Sequence, residues 1–152
     1  MATQTIIMKP SGIKIFFLLL FFSSAAWAQT VSEVLDLKKH KIVIQFNSSD
    51  SVSQSRVTLQ LEYIKASFPN AIIEVVCLGQ GLDLVVAASS KARAAVAEWS
   101  AKGVVFTACN ATMRYRNVRR SDLVPTAKVI PSGPVELTLK QEQGWAYFWG
   151  GE

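Results

Sequence analysis

Val104-Val-Phe-Thr-Ala-Cys-Asn-Ala-Thr-Met-Arg-Tyr-Arg-Asn-Val118 joins an apolar run to an arginine-rich segment, with a cysteine at the joint. Val104 to Thr107 reads as a buried strand, since β-branched and aromatic residues dominate it and Lys102-Gly103 breaks the chain just before. The segment led by Cys109, to about Arg116, reads as a helix. A strand that runs straight into a helix is half of a parallel α/β unit. Finding more such units on either side decides the fold.

They are present. Upstream, Lys41 to Phe46 (KIVIQF) is a strand, and Asn47 to Asp50 is a loop whose side chains suit capping. A helix from about Ser51 to Ser67 follows, with Val57, Leu61 and Ile64 at helical spacing, stopped by Pro69-Asn70. Ala71 to Leu78 (AIIEVVCL) is almost continuously apolar, as expected of a strand covered on both faces. Gly79-Gln-Gly81 breaks it, Leu82 to Ala88 suits a short helical turn, and Ser90 to Ala101 a helix. Downstream, Lys128 to Ile130 is a short strand, Ser132 caps a helix from Gly133 to Gln143, and Trp145 to Trp149 is a closing aromatic strand. The order predicts a three-layer α/β/α domain around a mostly parallel five-stranded sheet with right-handed crossovers. Ligands of such sheets bind beyond the carboxyl ends of the strands. Asn47 to Asp50, Cys77 to Asp83 and Cys109 to Thr112 converge there.

The start of the chain has a different character. Lys9 and Lys14 precede the apolar block Ile15 to Phe22, and Ala26-Trp27-Ala28 fits a signal-peptidase site. From Ile15 to Ala28 is 14 residues, short of the roughly 20 that span a bilayer. Residues 1–28 are therefore expected to be a cleaved signal peptide, 29–40 a polar lead and 41–152 the domain. The expected location is the periplasm, with no membrane attachment after cleavage. Loss of Lys9 and Lys14 takes the formal net charge from +5 to +3, too small an excess to point to nucleic acid.

Cys109 leaves two readings open, a reactive thiolate or a small packed core residue. A thiol of pKa near 8.5 is only about 3% thiolate at pH 7. Making it mostly thiolate takes about 2.7 kcal/mol of selective stabilisation. One helix N-terminus offers about 0.3–1 kcal/mol, so a reactive Cys109 needs help from an arginine such as Arg114. Cys77 closes a buried strand and is either packed or bridged to Cys109, a disulfide that an oxidising compartment permits. Gly79-x-Gly81 suits a tight turn, and Asp83 either caps the next turn or touches a ligand. Arg114, Arg116, Arg119 and Arg120 form either an anion site or a solvated helix face. His40, the sole histidine, precedes the first strand, at the end opposite Asn47. A Cys–His catalytic pair and a metal centre are both excluded by that placement. No Gly-x-Ser-x-Gly elbow, phosphate loop or Cys-x-x-Cys occurs, and no cofactor is expected.

Val75-Val-Cys-Leu-Gly-Gln-Gly-Leu-Asp-Leu84, Gly103-Val-Val-Phe-Thr-Ala-Cys-Asn-Ala-Thr-Met113 and Val129-Ile-Pro-Ser-Gly-Pro-Val-Glu-Leu137 resemble the DsrE/DsrF-like family. The closing Gln-Gly-Trp-Ala-Tyr-Phe block is similar to that of its exported members. The resemblance runs from about Lys41 to Trp149 and implies a flavodoxin-like domain, often assembled as trimers or hexamers. It also implies that Cys109, followed by small residues and then arginines, carries a persulfide and passes sulfur between a donor and an acceptor. Leu78 stands where many exported members have histidine. Around Cys109, the binding candidates are Asn47, Gly79, Gly81, Asp83, Asn110, Thr112, Arg114 and Arg116. The alternative is a non-catalytic module that binds a small anion or assembles into oligomers, its cysteines purely structural.

Overall fold

The structure is a computed structural model and describes residues 35–150. The expected signal peptide, and the lead up to residue 34, lie outside the described residues. Among the described residues five strands and four α-helices alternate: β1 (Lys41–Phe46), α1 (Ser51–Ser67), β2 (Ile72–Cys77), α2 (Arg93–Ala101), β3 (Val105–Cys109), α3 (Asn110–Tyr115), β4 (Lys128–Ile130), α4 (Gly133–Glu142) and β5 (Ala146–Trp149). The sheet order is β4-β3-β2-β1-β5 and every pairing is parallel.

This order fixes the layers. The chain steps one strand at a time from β1 to β4, and right-handed crossovers keep the intervening helices on one face. The return from β4 to β5 runs the other way, so α4 lands on the opposite face. Side-chain parity agrees with this. Ile44 and Phe46 of β1, with Val75 and Cys77 of β2, pack with Val57 and Leu61 of α1 and Val96 of α2. Val43 and Val76 point the other way, to Leu137 of α4.

Asp50 caps α1 by accepting from the Ser53 N–H at 2.9 Å. Within α1, Gln54 is wholly buried. Its Nε2 donates to the Ser49 carbonyl (3.0 Å) and its Oε1 accepts from the Lys91 N–H (2.8 Å), tying two loops together. Gln54→Leu is expected to lower stability by about 2–3 kcal/mol, because both backbone groups lose their partner. A urea midpoint unchanged from wild type would show those groups to be satisfied elsewhere.

Several boundaries differ from the sequence reading. β3 continues through Cys109 instead of stopping at Thr107, because Ala108 and Cys109 pair with Val129 and Ile130 of β4. The turn expected over Leu82–Ala88 lies earlier, as a 3-10 helix at Gly79–Leu84, and α2 starts at Arg93, not Ser90. β5 is an edge strand with all four residues exposed; Tyr147, Phe148 and Trp149 are 45%, 38% and 52% exposed.

Candidate functional site

Each strand end that meets at the carboxyl edge contributes something different. After β1, the Asn47 Oδ1 accepts from the Gln80 N–H (3.2 Å), and the Leu78 N–H donates to the Phe46 carbonyl (3.1 Å). These bonds fix the 3-10 helix across the end of β1. Gly79, at φ +54°, takes the left-handed conformation that lets the chain leave β2 sharply. Its N–H then donates to the Thr112 Oγ1 at 3.1 Å.

Cys109 is the last residue of β3 and stands immediately before α3. Its Sγ accepts from the Gly133 N–H at 3.1 Å, the first residue of α4. The thiol therefore lies between the starts of two helices. Burial alone pushes its pKa up. The Thr112 hydroxyl and N–H, with the N–H groups of Gly133 and Ala111, outweigh that and leave it below the ordinary thiol value. Hydrogen bonds from neutral donors, not the charge of an arginine, thus favour the anion. Cys109 is only 2% exposed, but it lines an open cavity of about 570 Å³.

The other candidates fall into separate groups. Thr112, Gly79 and Arg116 line the cavity with Cys109. Arg116 Nη2 pairs with Asp83 Oδ1 at 2.7 Å, and its Nη1 donates to the Gly79 carbonyl at 3.1 Å. Asp83 also accepts from the Ser89 hydroxyl (3.1 Å). Asn47, Gly81, Asn110 and Arg114 are not among the cavity-lining residues, and Arg114 is exposed. Asn47 and Gly81 shape the turn instead. Arg116→Ala is expected to cost about 1–2 kcal/mol, the ion pair being only partly screened from solvent. Chemical denaturation beside Arg116→Lys measures it, and equal stability of the two variants would contradict a role for the forked contact.

Cys77 and Cys109 are both free. Register explains the separation: Cys77 pairs with Ala108, so Cys109, one residue on, points to the other face of the sheet. Cys77 is wholly buried, and burial drives its pKa far upward. The His40 carbonyl accepts from the Ile72 N–H at the start of β2, and the His40 ring packs at a tilt against Phe68 with centroids 4.3 Å apart, at the end of the sheet away from Cys109. Among the described residues no cluster of three or more His, Cys, Asp or Glu is arranged to hold a metal ion.

Sequence reading placed Leu78 at this edge but missed Tyr115, Ser132 and Pro134 in the cavity wall, and Gly133 as a donor to the sulfur. The signal was available in Pro131-Ser-Gly-Pro134, a strand-to-helix junction like the one at Cys109. It became meaningful only once β4 was known to lie beside β3.

A parallel α/β sheet with a hydrogen-bonded cysteine closing an inner strand defines a class of small α/β proteins with a strand-end thiol. Within it, this chain belongs to the DsrE/DsrF-like family, whose model matches residues 40–149. Two solved structures share the fold. A protein of unknown function from Methanobacterium thermoautotrophicum is 25% identical over 73% of this chain and 99% of its own, with a TM-score of 0.70. A conserved protein of unknown function from Bacteroides thetaiotaomicron is 15% identical over 72% of this chain and 93% of its own, with a TM-score of 0.59. No curated protein matches the chain.

Proposed function

We propose that this DsrE-like chain is an exported carrier of sulfane sulfur, with Cys109 as the persulfide-forming thiol. One observation carries the reading: the Cys109 sulfur is held by donors from the starts of two helices and faces a cavity, with its pKa lowered. In the loading step the thiolate attacks the outer sulfur of a donor RS–SH. The Cys109 S–S bond forms, the RS–S bond breaks, and RS⁻ leaves to take a proton from water. An acceptor thiolate then removes the outer sulfur in the same way and restores the Cys109 thiolate. Export to the periplasm rests on the signal pattern of residues 1–28. Assembly into trimers or hexamers is what the family resemblance implies, and the exposed aromatic edge of β5 offers a surface for it.

Polysulfide treatment followed by mass spectrometry tests the carrier role. An adduct of about 32 Da, one sulfur atom, is expected on Cys109 and absent in Cys109→Ser. An unmodified Cys109 under conditions that load a free thiol would end the proposal. The near-complete cover of Cys109 favours a second reading, a non-catalytic assembly or anion-binding module with a packed cysteine. Native-state alkylation separates the two, since a packed thiol reacts only on unfolding.

A further inference from the structure

Given a carrier thiol at position 109, the walls of its cavity decide which donors it serves. Leu78, Ala111, Tyr115 and Pro134 make those walls largely apolar. Tyr115, 89% exposed, offers its ring at the rim. The one charged side chain of the lining is Arg116, and its charge is already matched by Asp83 at 2.7 Å. The Gly133 N–H is engaged on the sulfur itself at 3.1 Å, and the Ala111 and Thr112 N–H groups act on it by lowering its pKa. An anionic donor would therefore shed water against apolar walls and approach a thiolate with no unpaired cation among the cavity-lining residues to screen the two charges.

We infer that Cys109 takes sulfur from small hydropersulfides, reacting in their neutral RS–SH form, whose organic group is apolar and uncharged, and rejects anionic donors. The cavity, at about 570 Å³, is sized for a small molecule. The step is the loading step above, with an apolar thiolate as leaving group. Thiosulfate is the contrasting donor: the Cys109 thiolate would take its outer sulfur and release sulfite, leaving a persulfide anion.

The test compares loading of Cys109 from benzyl hydropersulfide, glutathione hydropersulfide and thiosulfate. Each rate is read by mass spectrometry and divided by that donor's rate with free cysteine. The normalised rate for the benzyl donor is expected to exceed the other two by about tenfold or more. Equal normalised rates overturn the selectivity while leaving the carrier role standing, whereas no adduct from any donor removes both. Asp83→Asn leaves Arg116 without its counter-charge and is expected to narrow the benzyl-to-thiosulfate ratio by about threefold. Arg116→Met removes the positive member and leaves Asp83 as an unmatched negative charge, so the ratio is expected to be kept or widened. A ratio that survives Asp83→Asn in a folded protein, or collapses in Arg116→Met, overturns the assignment to this ion pair.

Discussion

Gly81→Ala is expected to destabilise the domain by about 3 kcal/mol or more. A Cβ at this position would lie 2.2 Å from the Phe46 carbonyl oxygen, 2.5 Å from its carbon and 2.7 Å from the Asn47 nitrogen. All three atoms are backbone, so no side chain can swing aside. The surrounding bonds leave little room to yield: the Gly81 N–H donates to the Leu78 carbonyl (2.9 Å), and the Leu78 N–H donates to Phe46 (3.1 Å). Relief would mean prising the 3-10 helix off the end of β1, and the Gly79–Thr112 bond beside Cys109 would go with it. Gly103→Ala is the matched control. Gly103 has φ +88° and open space around the added Cβ, so only the conformational cost of about 1 kcal/mol is expected. Urea denaturation of both variants reads the difference, and equal costs would refute the close approach at Gly81.

The second large effect concerns the reactivity of the thiol. Thr112 receives the Gly79 N–H on its Oγ1, and its hydroxyl is among the groups that lower the Cys109 pKa. Hydrogen bonds to charged groups contribute about 1.5–3 kcal/mol, and a change of one pKa unit corresponds to 1.36 kcal/mol. Thr112→Val keeps the shape, removes the donor and strands the Gly79 N–H. The pKa of Cys109 is then expected to rise by about one unit. The direction follows from the sign of the wild-type shift. Wild-type alkylation should climb with pH through a midpoint lowered from the ordinary thiol range, and the variant through a higher one. At pH values below both midpoints the variant should react about tenfold more slowly, with the two rates converging once both thiols are ionised. Thr112→Ser, which keeps the hydroxyl, should stay close to wild type. Superimposable profiles for the Val and Ser variants would show that the hydroxyl does not hold the anion.

The sheet was legible because its strands carry their own signature. Lys41–Phe46 and Lys128–Ile130 match the sequence reading at both ends, since apolar runs bounded by breakers need no tertiary information. The start of α3 was less so. Thr107-Ala-Cys109 could extend a strand or open a helix, and the choice was made by pairing with β4, a neighbour remote in sequence. The same limit hid the second helix start at Cys109. Arg114 looked like the natural source of positive potential because it is near in sequence, whereas Gly133, 24 residues away, supplies the contact. Gln54 was illegible for a further reason: a glutamine on a helix is ordinarily solvated, and only the loops folded over it make it core.

The opposed facing of the two cysteines has a consequence for sulfur chemistry. Many thiol proteins discharge an oxidised sulfur onto a second cysteine in reach, trapping themselves as an internal disulfide. Here the only other sulfhydryl, Cys77, is sealed beneath the helices on the far side of the sheet and kept protonated there. A sulfur atom placed on Cys109 has no resolving partner within its own chain, so its lifetime is set by whichever outside nucleophile reaches the cavity first.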